Sequence, residues 1–66
     1  MQIDVKALRR AMAAKGYTVA SLARAAGISH IVINKWLRRE THPRMDTLGK
    51  VAKALDVDIY DIARED

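Results

Sequence analysis

The sequence predicts a single all-α domain that spans residues 1–66, and three observations support this fold class. The composition favours helix, because Ala and Leu are plentiful while the chain holds only three Gly and one Pro. A local pattern typical of helix starts recurs four times. One further segment repeats its apolar residues with the period of an amphipathic helix. A chain of this length has room for one hydrophobic core and one domain.

The recurring pattern consists of an apolar residue, a capping residue and, four positions after the cap, a second apolar residue. It occurs at Ile3-Asp4…Leu8, Tyr17-Thr18…Leu22, Ile28-Ser29…Ile33 and Val57-Asp58…Ile62. The two apolar residues pack on each other, and the capping side chain accepts a hydrogen bond from an otherwise unpaired backbone N–H. Gly16 and Gly27 stand where left-handed C-terminal residues are needed, so the starts and the ends both indicate helices.

These signals predict five helices, at about residues 4–14, 18–25, 29–38, 45–54 and 58–64. The fourth follows Pro43, and its apolar positions are Met45, Leu48, Val51, Ala52 and Leu55. Only residues 26–28 separate the second helix from the third. So short a connection with a glycine in it predicts a sharp helix-turn-helix rather than a long antiparallel hairpin.

The charges are divided unevenly along the chain, whose formal net charge is +4. Residues 1–44 carry nine Lys and Arg against two acidic residues, whereas residues 45–66 carry three against six. A basic lobe beside an acidic tail is typical of a protein that binds a polyanion. A surface that serves only solubility is the alternative, and charge alone does not decide between the two.

Several function classes find no support in the sequence. His30 and His42 are not clustered, and no glycine-rich phosphate loop or nucleophile motif occurs, so we expect no enzyme activity. The absence of cysteine excludes disulfides and thiolate metal sites, and we expect no metal or cofactor. No signal-peptide pattern is present, and no apolar run approaches the ~18 residues of a membrane span. We therefore expect a cytoplasmic protein without a membrane partner.

The segment SHIVINKWLRR, residues 29–39, is apolar nearly all round in its first half. Helical rotation around Ile33 places Trp36 and Leu37 on the same inner face, so these three residues are expected in the core. Val32 and Arg39 fall on one flank. The outward face is then Ile31, Asn34, Lys35 and Arg38. An exposed isoleucine can be incidental, can contact a thymine methyl in the major groove, or can anchor a protein partner.

The segment TVASLARAAGISHIVINKWLRRETHP, residues 18–43, resembles the helix-turn-helix of the phage repressor/Cro family, also called XRE-type regulators. The residues that match the family pattern are Leu22-Ala23, Gly27-Ile28-Ser29, Ile33, Pro43, Leu55 and Val57. The resemblance covers nearly the whole chain. It implies a five-helix, lambda-repressor-like fold and a transcriptional regulator that binds a double-stranded DNA operator as a homodimer, with the third helix in the major groove.

The resemblance also implies which residues contact DNA. Carried over by position, with Asn34 added from its place on the outward face, the base-contact candidates are Ser29, His30, Ile31, Asn34 and Lys35. The phosphate-contact candidates are Thr18, Val19, Val32, Arg38, Arg39, Thr41, His42 and Arg44. Among them, Thr18 matches the start of the second helix, where the family uses a side chain and the helix N-terminus.

The sequence departs from the family pattern at three places. Val19 replaces the usual Gln after the second cap, so only its backbone N–H can contact a phosphate. The usual Glu-x-Gly at the end of the recognition helix is Leu37-Arg38-Arg39. Leu37 and Met12 stand where the family has a buried Glu–Arg pair. Because replacing both partners of such a pair avoids a stranded charge, we expect Met12 and Leu37 to touch.

A protein-binding module, such as a toxin-neutralising antitoxin or an adaptor built on the same fold, is the alternative function. The features in its favour are the apolar residues Val19, Ile31 and Val32 at positions where a DNA-reading surface is usually polar. The sequence leaves this choice open.

Overall fold

The computed structural model describes residues 1–65 and folds them into four α-helices and a small antiparallel sheet. The helices are α1 (Val5–Lys15), α2 (Val19–Ala26), α3 (His30–Leu37) and α4 (Met45–Leu55). A 3₁₀ turn at Ile59–Asp61 follows α4, and the sheet pairs β1 (Gln2–Ile3) with β2 (Ala63–Arg64). The four predicted α-helices up to residue 55 are confirmed to within one residue at each end.

The four capping residues that the sequence predicts each accept a side-chain hydrogen bond at the start of a helix or helical turn. The capping residues are Asp4, Thr18, Ser29 and Asp58. At α1, for example, Oδ1 of Asp4 accepts from the backbone N–H of Ala7 at 3.1 Å. Each cap satisfies a donor that has no partner within its own helix, and the helix boundaries therefore follow from local chemistry.

The predicted fifth helix at residues 58–64 is wrong. Asp58 does begin a helical turn, but the turn is 3₁₀ and ends at Asp61. The carbonyl of Ile62 then accepts from the N–H of Asp4 at 2.9 Å, and Ala63 pairs with Ile3 in the sheet. Contact with the N-terminal segment therefore outweighs local helix propensity, and a two-residue strand carries too short a pattern to be read beforehand.

One core collects side chains from every element. Its completely buried members, with 0–1% exposure, are Leu8, Leu22, Ile33, Trp36, Leu48, Val51, Leu55, Ile62 and Ala63. The helix α2 packs against both α3 and α4, which fixes the angle of the helix-turn-helix. The prediction that Trp36 is a core residue is confirmed. Leu37 is half-buried against the same core that contains Met12, and their direct contact stays a prediction.

All four α-helices are followed by a residue in the left-handed conformation. These residues are Gly16, Gly27, Arg39 and Asp56, with φ between 56° and 71°. The first two confirm the sequence prediction, while Arg39 and Asp56 were not foreseen because neither is a glycine. In residues 1–65 the longest helices have 11 residues, and none is long and apolar enough to cross a membrane.

Candidate nucleic-acid interface

The exposed face of α3 carries the predicted base-contact residues. Ile31 is 54% exposed, Lys35 is exposed, and Asn34 between them is half-buried. The opposite face anchors the helix through Ile33 and Trp36, which are 0% and 1% exposed. The outward direction of Ile31 and Lys35 is therefore fixed by the packing behind them. Val32 is half-buried against the core, so less of its side chain is available for contact with DNA than the helical projection indicated.

The N-terminal end of α3 presents the remaining two base-contact candidates. Oγ of Ser29 accepts from the N–H of Ile31 at 3.1 Å, so the hydroxyl caps the helix. His30 is the first helical residue and is exposed. Both residues project from the end of the helix where the backbone dipole is positive. This arrangement suits contact with electronegative base edges or phosphates.

The N-terminus of α2 offers backbone donors rather than a free hydroxyl. Oγ1 of Thr18 accepts from the N–H of Ser21 at 3.1 Å, and it donates to Oγ of Ser21 at 3.2 Å. The Thr18 hydroxyl is thus committed to the capping box. Within residues 1–65, the N–H groups of Val19 and Ala20 have no recorded acceptor. An anion at this site would therefore bind backbone amides, as expected for Val19, whose side chain packs against the core.

A groove beside α3 brings together residues that are distant in sequence. It has a volume of about 300 Å³ and is lined by Val32, Lys35, Trp36, Thr41, His42, Arg44 and Thr47. Five of these seven are predicted DNA-contact residues. Thr47 was not predicted from the sequence, because its position beside α3 depends on how α4 packs, and no local sequence pattern indicates that packing. Two of the lining residues, Lys35 and Arg44, are cationic, which suits contact with a sugar–phosphate strand.

Two of the predicted phosphate-contact cations are paired with neighbouring carboxylates. Nε of Arg38 lies 2.7 Å from Oε2 of Glu40, and Nη2 of Arg44 lies 3.4 Å from Oδ2 of Asp46. All four side chains are at least half exposed. Exposed ion pairs of this kind contribute little free energy, so a phosphate can displace either carboxylate.

The carboxyl of Asp46 is held ionised at the start of α4. Its Oδ1 accepts from the N–H of Thr47 at 2.9 Å, and this hydrogen bond lowers the pKa of Asp46 more than any other contact. The nearby charges of Arg44 and Lys50 lower the pKa further. The negative charge complements the positive end of the helix dipole, in place of the N-cap side chain that α4 lacks.

Within the described residues, acidic side chains near the C-terminus stabilise local backbone structure. Oδ1 of Asp58 caps the 3₁₀ turn, and Oδ2 of Asp61 accepts from the N–H of Asp58 at 2.9 Å. The Tyr60 hydroxyl donates to Glu65 at 3.2 Å, and this hydrogen bond raises the pKa of Tyr60. Residues 1–65 contain no group of three or more His, Cys, Asp or Glu that could hold a metal ion.

Most of the chain matches one known protein family. Residues 7–62 match the helix-turn-helix family model HTH_3. The chain belongs to this helix-turn-helix family. The match includes all four α-helices of this helix-turn-helix protein apart from the first two residues of α1. No relative among curated proteins matches the sequence.

Solved structures share the fold. The DNA-binding domain of the P22 C2 repressor is similar with a TM-score of 0.77 and 27% identity, over 89% of this chain and 78% of that one. The restriction-modification controller protein C.AhdI from Aeromonas hydrophila gives 0.78 and 24% identity over 86% of each chain, which shows the fold alone.

Larger proteins contain a similar unit. Native PhpD with cadmium and a hydroxyethylphosphonate dioxygenase each give a TM-score of 0.81 and 28% identity. The match covers 98% of this chain but spans only 14% of the length of either of those chains.

Proposed function

We propose that this helix-turn-helix protein binds double-stranded DNA in a sequence-specific manner as a transcriptional regulator, with α3 in the major groove. The observation that carries the proposal is the division of α3 into a buried anchor, Ile33 and Trp36, and an exposed face containing Ile31 and Lys35. A helix held rigidly on one side and free on the other can be inserted into a groove without unfolding. The named DNA-binding domain of the P22 C2 repressor, whose fold is similar, supports the same function.

The chemistry of the exposed face matches base edges in the major groove. The ammonium group of Lys35 can donate to O6 and N7 of guanine, and the methyl groups of Ile31 can contact a thymine methyl. Asn34 is half-buried, so its amide reaches a base only along the flank of the helix. With Ser29 and His30 at the start of α3, these residues form the proposed sequence-reading surface.

The phosphates are bound on both sides of that surface. On one side, the N–H groups of Val19 and Ala20 point out of the N-terminus of α2. On the other side lie the groove beside α3 and the loop that follows it, with candidate contacts at Val32, Arg38, Arg39, Thr41, His42 and Arg44. The surplus of cations in residues 1–44 gives this part of the chain the positive charge that binding of a polyanion requires.

We further propose that the protein acts as a homodimer in the cytoplasm, as a repressor or Cro-like regulator of an operator with two half-sites. A single helix-turn-helix buries too little surface for tight specific binding, and two recognition helices about 34 Å apart fit successive major grooves. No cofactor or catalysis is part of the proposal. The enzymatic activity named for the dioxygenase belongs to a chain of which the matched unit is a small fraction.

Fluorescence anisotropy of a labelled duplex, measured across a salt series, tests this function. The three cationic candidates of each protomer, Arg38, Arg39 and Arg44, give six phosphate contacts in a homodimer, which predict a slope of about −5 in a plot of log affinity against log salt concentration. Arg44→Gln should reduce the magnitude of the slope by about two units, because a homodimer contains two copies of Arg44. Lys53→Gln removes the same charge from the exposed end of α4 and should leave the slope unchanged. A duplex affinity that does not depend on salt contradicts the proposal.

A protein-binding role is the second candidate, and the exposure of Ile31 is the observation that favours it. The half-buried Val32 leaves Ile31 as the single large apolar side chain of this face, which is a small anchor for a protein partner. Ile31→Ala and Lys35→Ala separate the two roles. A DNA reader loses or relaxes its sequence preference in both variants, whereas a protein binder retains its DNA behaviour.

A further inference from the structure

A second cleft lies between the terminal sheet and the loop that follows α3. Its volume is about 230 Å³, and its lining comes from β1, β2 and residues 36–42. The lining residues are Gln2, Ile3, Trp36, Arg39, Glu40, Thr41, His42 and Arg64. The cleft therefore joins the two ends of the described chain to the end of the recognition helix. It is smaller than the pockets that hold drug-sized ligands, which points to a small chemical group.

Among the described residues, no carboxylate pairs with the two arginines of this cleft. Arg39 and Arg64 take part in no ion pair within residues 1–65. Glu40 is the one carboxylate among the lining residues that the structure describes, and its charge is compensated by Arg38, whose Nε lies 2.7 Å from Oε2. Two arginines thus line a small cavity, and the one carboxylate among its described lining residues forms an ion pair with Arg38. Like charges held together in this way attract an anion.

The backbone holds these groups in place from two directions. Gln2 and Arg64 are directly opposite each other in the antiparallel sheet, so their side chains leave the same face of it. Arg39 is held by the left-handed turn that ends α3, with φ at 57°. Nδ1 of His42 lies 3.1 Å from the carbonyl oxygen of Met1, a contact that ties the loop to the N-terminal strand. The two walls of the cleft are therefore connected to each other.

We propose that this cleft is a phosphate-binding site, with Arg64 and Arg39 as its principal ligands. A guanidinium group offers a planar pair of donors that fits a phosphate oxygen pair, and the hydroxyl of Thr41 and the amide of Gln2 add neutral donors. The phosphate comes either from a DNA strand or from a phosphate-bearing small molecule. The first source rests on the proposed function, whereas the second does not.

A titration with inorganic phosphate tests the site directly. Two-dimensional ¹H–¹⁵N spectra are recorded at constant ionic strength, with chloride exchanged for phosphate, on the unmodified protein, Arg64→Gln and the control Lys53→Gln. The expected result is a saturable shift of the Gln2, Thr41 and Arg64 amides in the unmodified protein and the control. In Arg64→Gln the binding of phosphate should be about tenfold weaker, because a charge-assisted hydrogen bond is lost.

Duplex binding by the same three proteins distinguishes the two sources. A salt slope whose magnitude falls by about two units in Arg64→Gln, one for each protomer of the dimer, but not in Lys53→Gln, assigns the site to a DNA phosphate. An unchanged slope, combined with weaker binding of inorganic phosphate, assigns it to a free phosphate-bearing molecule. The proposal is overturned by the lack of a saturable phosphate shift, or by identical behaviour of Arg64→Gln and Lys53→Gln in both measurements. A protein that binds phosphate here but no duplex contradicts the proposed function alone.

Discussion

The backbone N–H of Glu40 donates to the carbonyl of Lys35 at 2.9 Å, and this hydrogen bond closes the third helix. The same turn includes a bond from the N–H of Arg39 to the carbonyl of Trp36 at 3.0 Å. Together they form the pattern that usually requires a glycine at its left-handed position. Here that position is Arg39. The turn therefore joins Lys35, a proposed base contact, to the proposed phosphate-binding loop, and it holds a residue other than glycine in the left-handed conformation at an energetic cost.

The cost at Arg39 predicts opposite effects of one substitution on stability and on DNA binding. Arg39→Gly should raise the free energy of unfolding by about 0.5–1 kcal/mol, because glycine adopts positive φ freely. It should also weaken duplex binding and reduce the magnitude of the salt slope by about two units, since the dimer loses two cations. Asp56→Gly is the matched control, because Asp56 has the same conformation after α4. Thermal unfolding measures the change in stability, and fluorescence anisotropy measures the duplex affinity. An unchanged affinity in Arg39→Gly would show that Arg39 does not contact DNA.

The predicted contact between Met12 and Leu37 can be tested by a double-mutant cycle. Met12→Arg and Leu37→Glu should each destabilise the protein by about 2–5 kcal/mol, because each places an unpaired charge in or beside the core. The double variant should recover part of this loss, with a coupling energy of about 1–3 kcal/mol. Ala13→Arg, at an exposed position of the same helix, should cost little. Additive losses in the double variant would show that the two side chains do not meet.

The local elements of this fold can be predicted from the sequence because their determinants are local. A cap such as Asp4 or Ser29 bonds to backbone atoms within three residues. Gly27 adopts the left-handed conformation of its turn whatever the rest of the chain does. The terminal sheet could not be predicted, because it depends on residues 2–3 meeting residues 63–64. The left-handed conformation of Arg39 could not be predicted for a different reason, because the turn imposes it and arginine does not prefer it.

The candidate site likewise combines features that the sequence predicts with features that depend on the tertiary structure. The helical period alone places Ile31 and Lys35 outward and Ile33 inward, as the structure has them. The groove that unites Lys35 with Arg44 and Thr47 depends on the docking of α4, and the cleft around Arg64 depends on the sheet. Sites made by one element can be predicted from sequence, whereas sites made between elements require the tertiary structure.

The C-terminal segment is expected to stabilise the domain through Ile62. This side chain is completely buried, and Ile62→Ala should cost about 2–4 kcal/mol through lost burial and the cavity left behind. Tyr60→Ala provides the control, since Tyr60 is 59% exposed and should change stability by less than about 1 kcal/mol. Urea unfolding followed by circular dichroism measures the difference. Equal stability of the two variants would show that residues 59–64 do not belong to the core.

The ionisation of Asp46 predicts a contribution to stability that depends on pH. Because its pKa is lowered in the folded protein, the contribution is present above the ordinary aspartate pKa and is lost as the pH falls through the lowered value. Asp46→Asn should flatten the stability profile in that acidic window. In Arg44→Gln the titration midpoint should rise only in part, because the hydrogen bond from Thr47 remains and is the larger cause. Carboxyl ¹³C shifts measure the midpoint, and a midpoint at or above the ordinary value contradicts the assignment.

Selection of bound sequences from a random duplex library tests the central proposal most directly. The proposal predicts enrichment of an inverted repeat whose half-sites lie about 10 base pairs apart, as expected for two recognition helices in successive major grooves. Ile31→Ala should lose preference at a thymine position, and Lys35→Ala should lose preference at a guanine position. Recovery of no enriched sequence, or of the same sequence with the same preference in both variants, would contradict the assignment of α3 as a reader of DNA sequence.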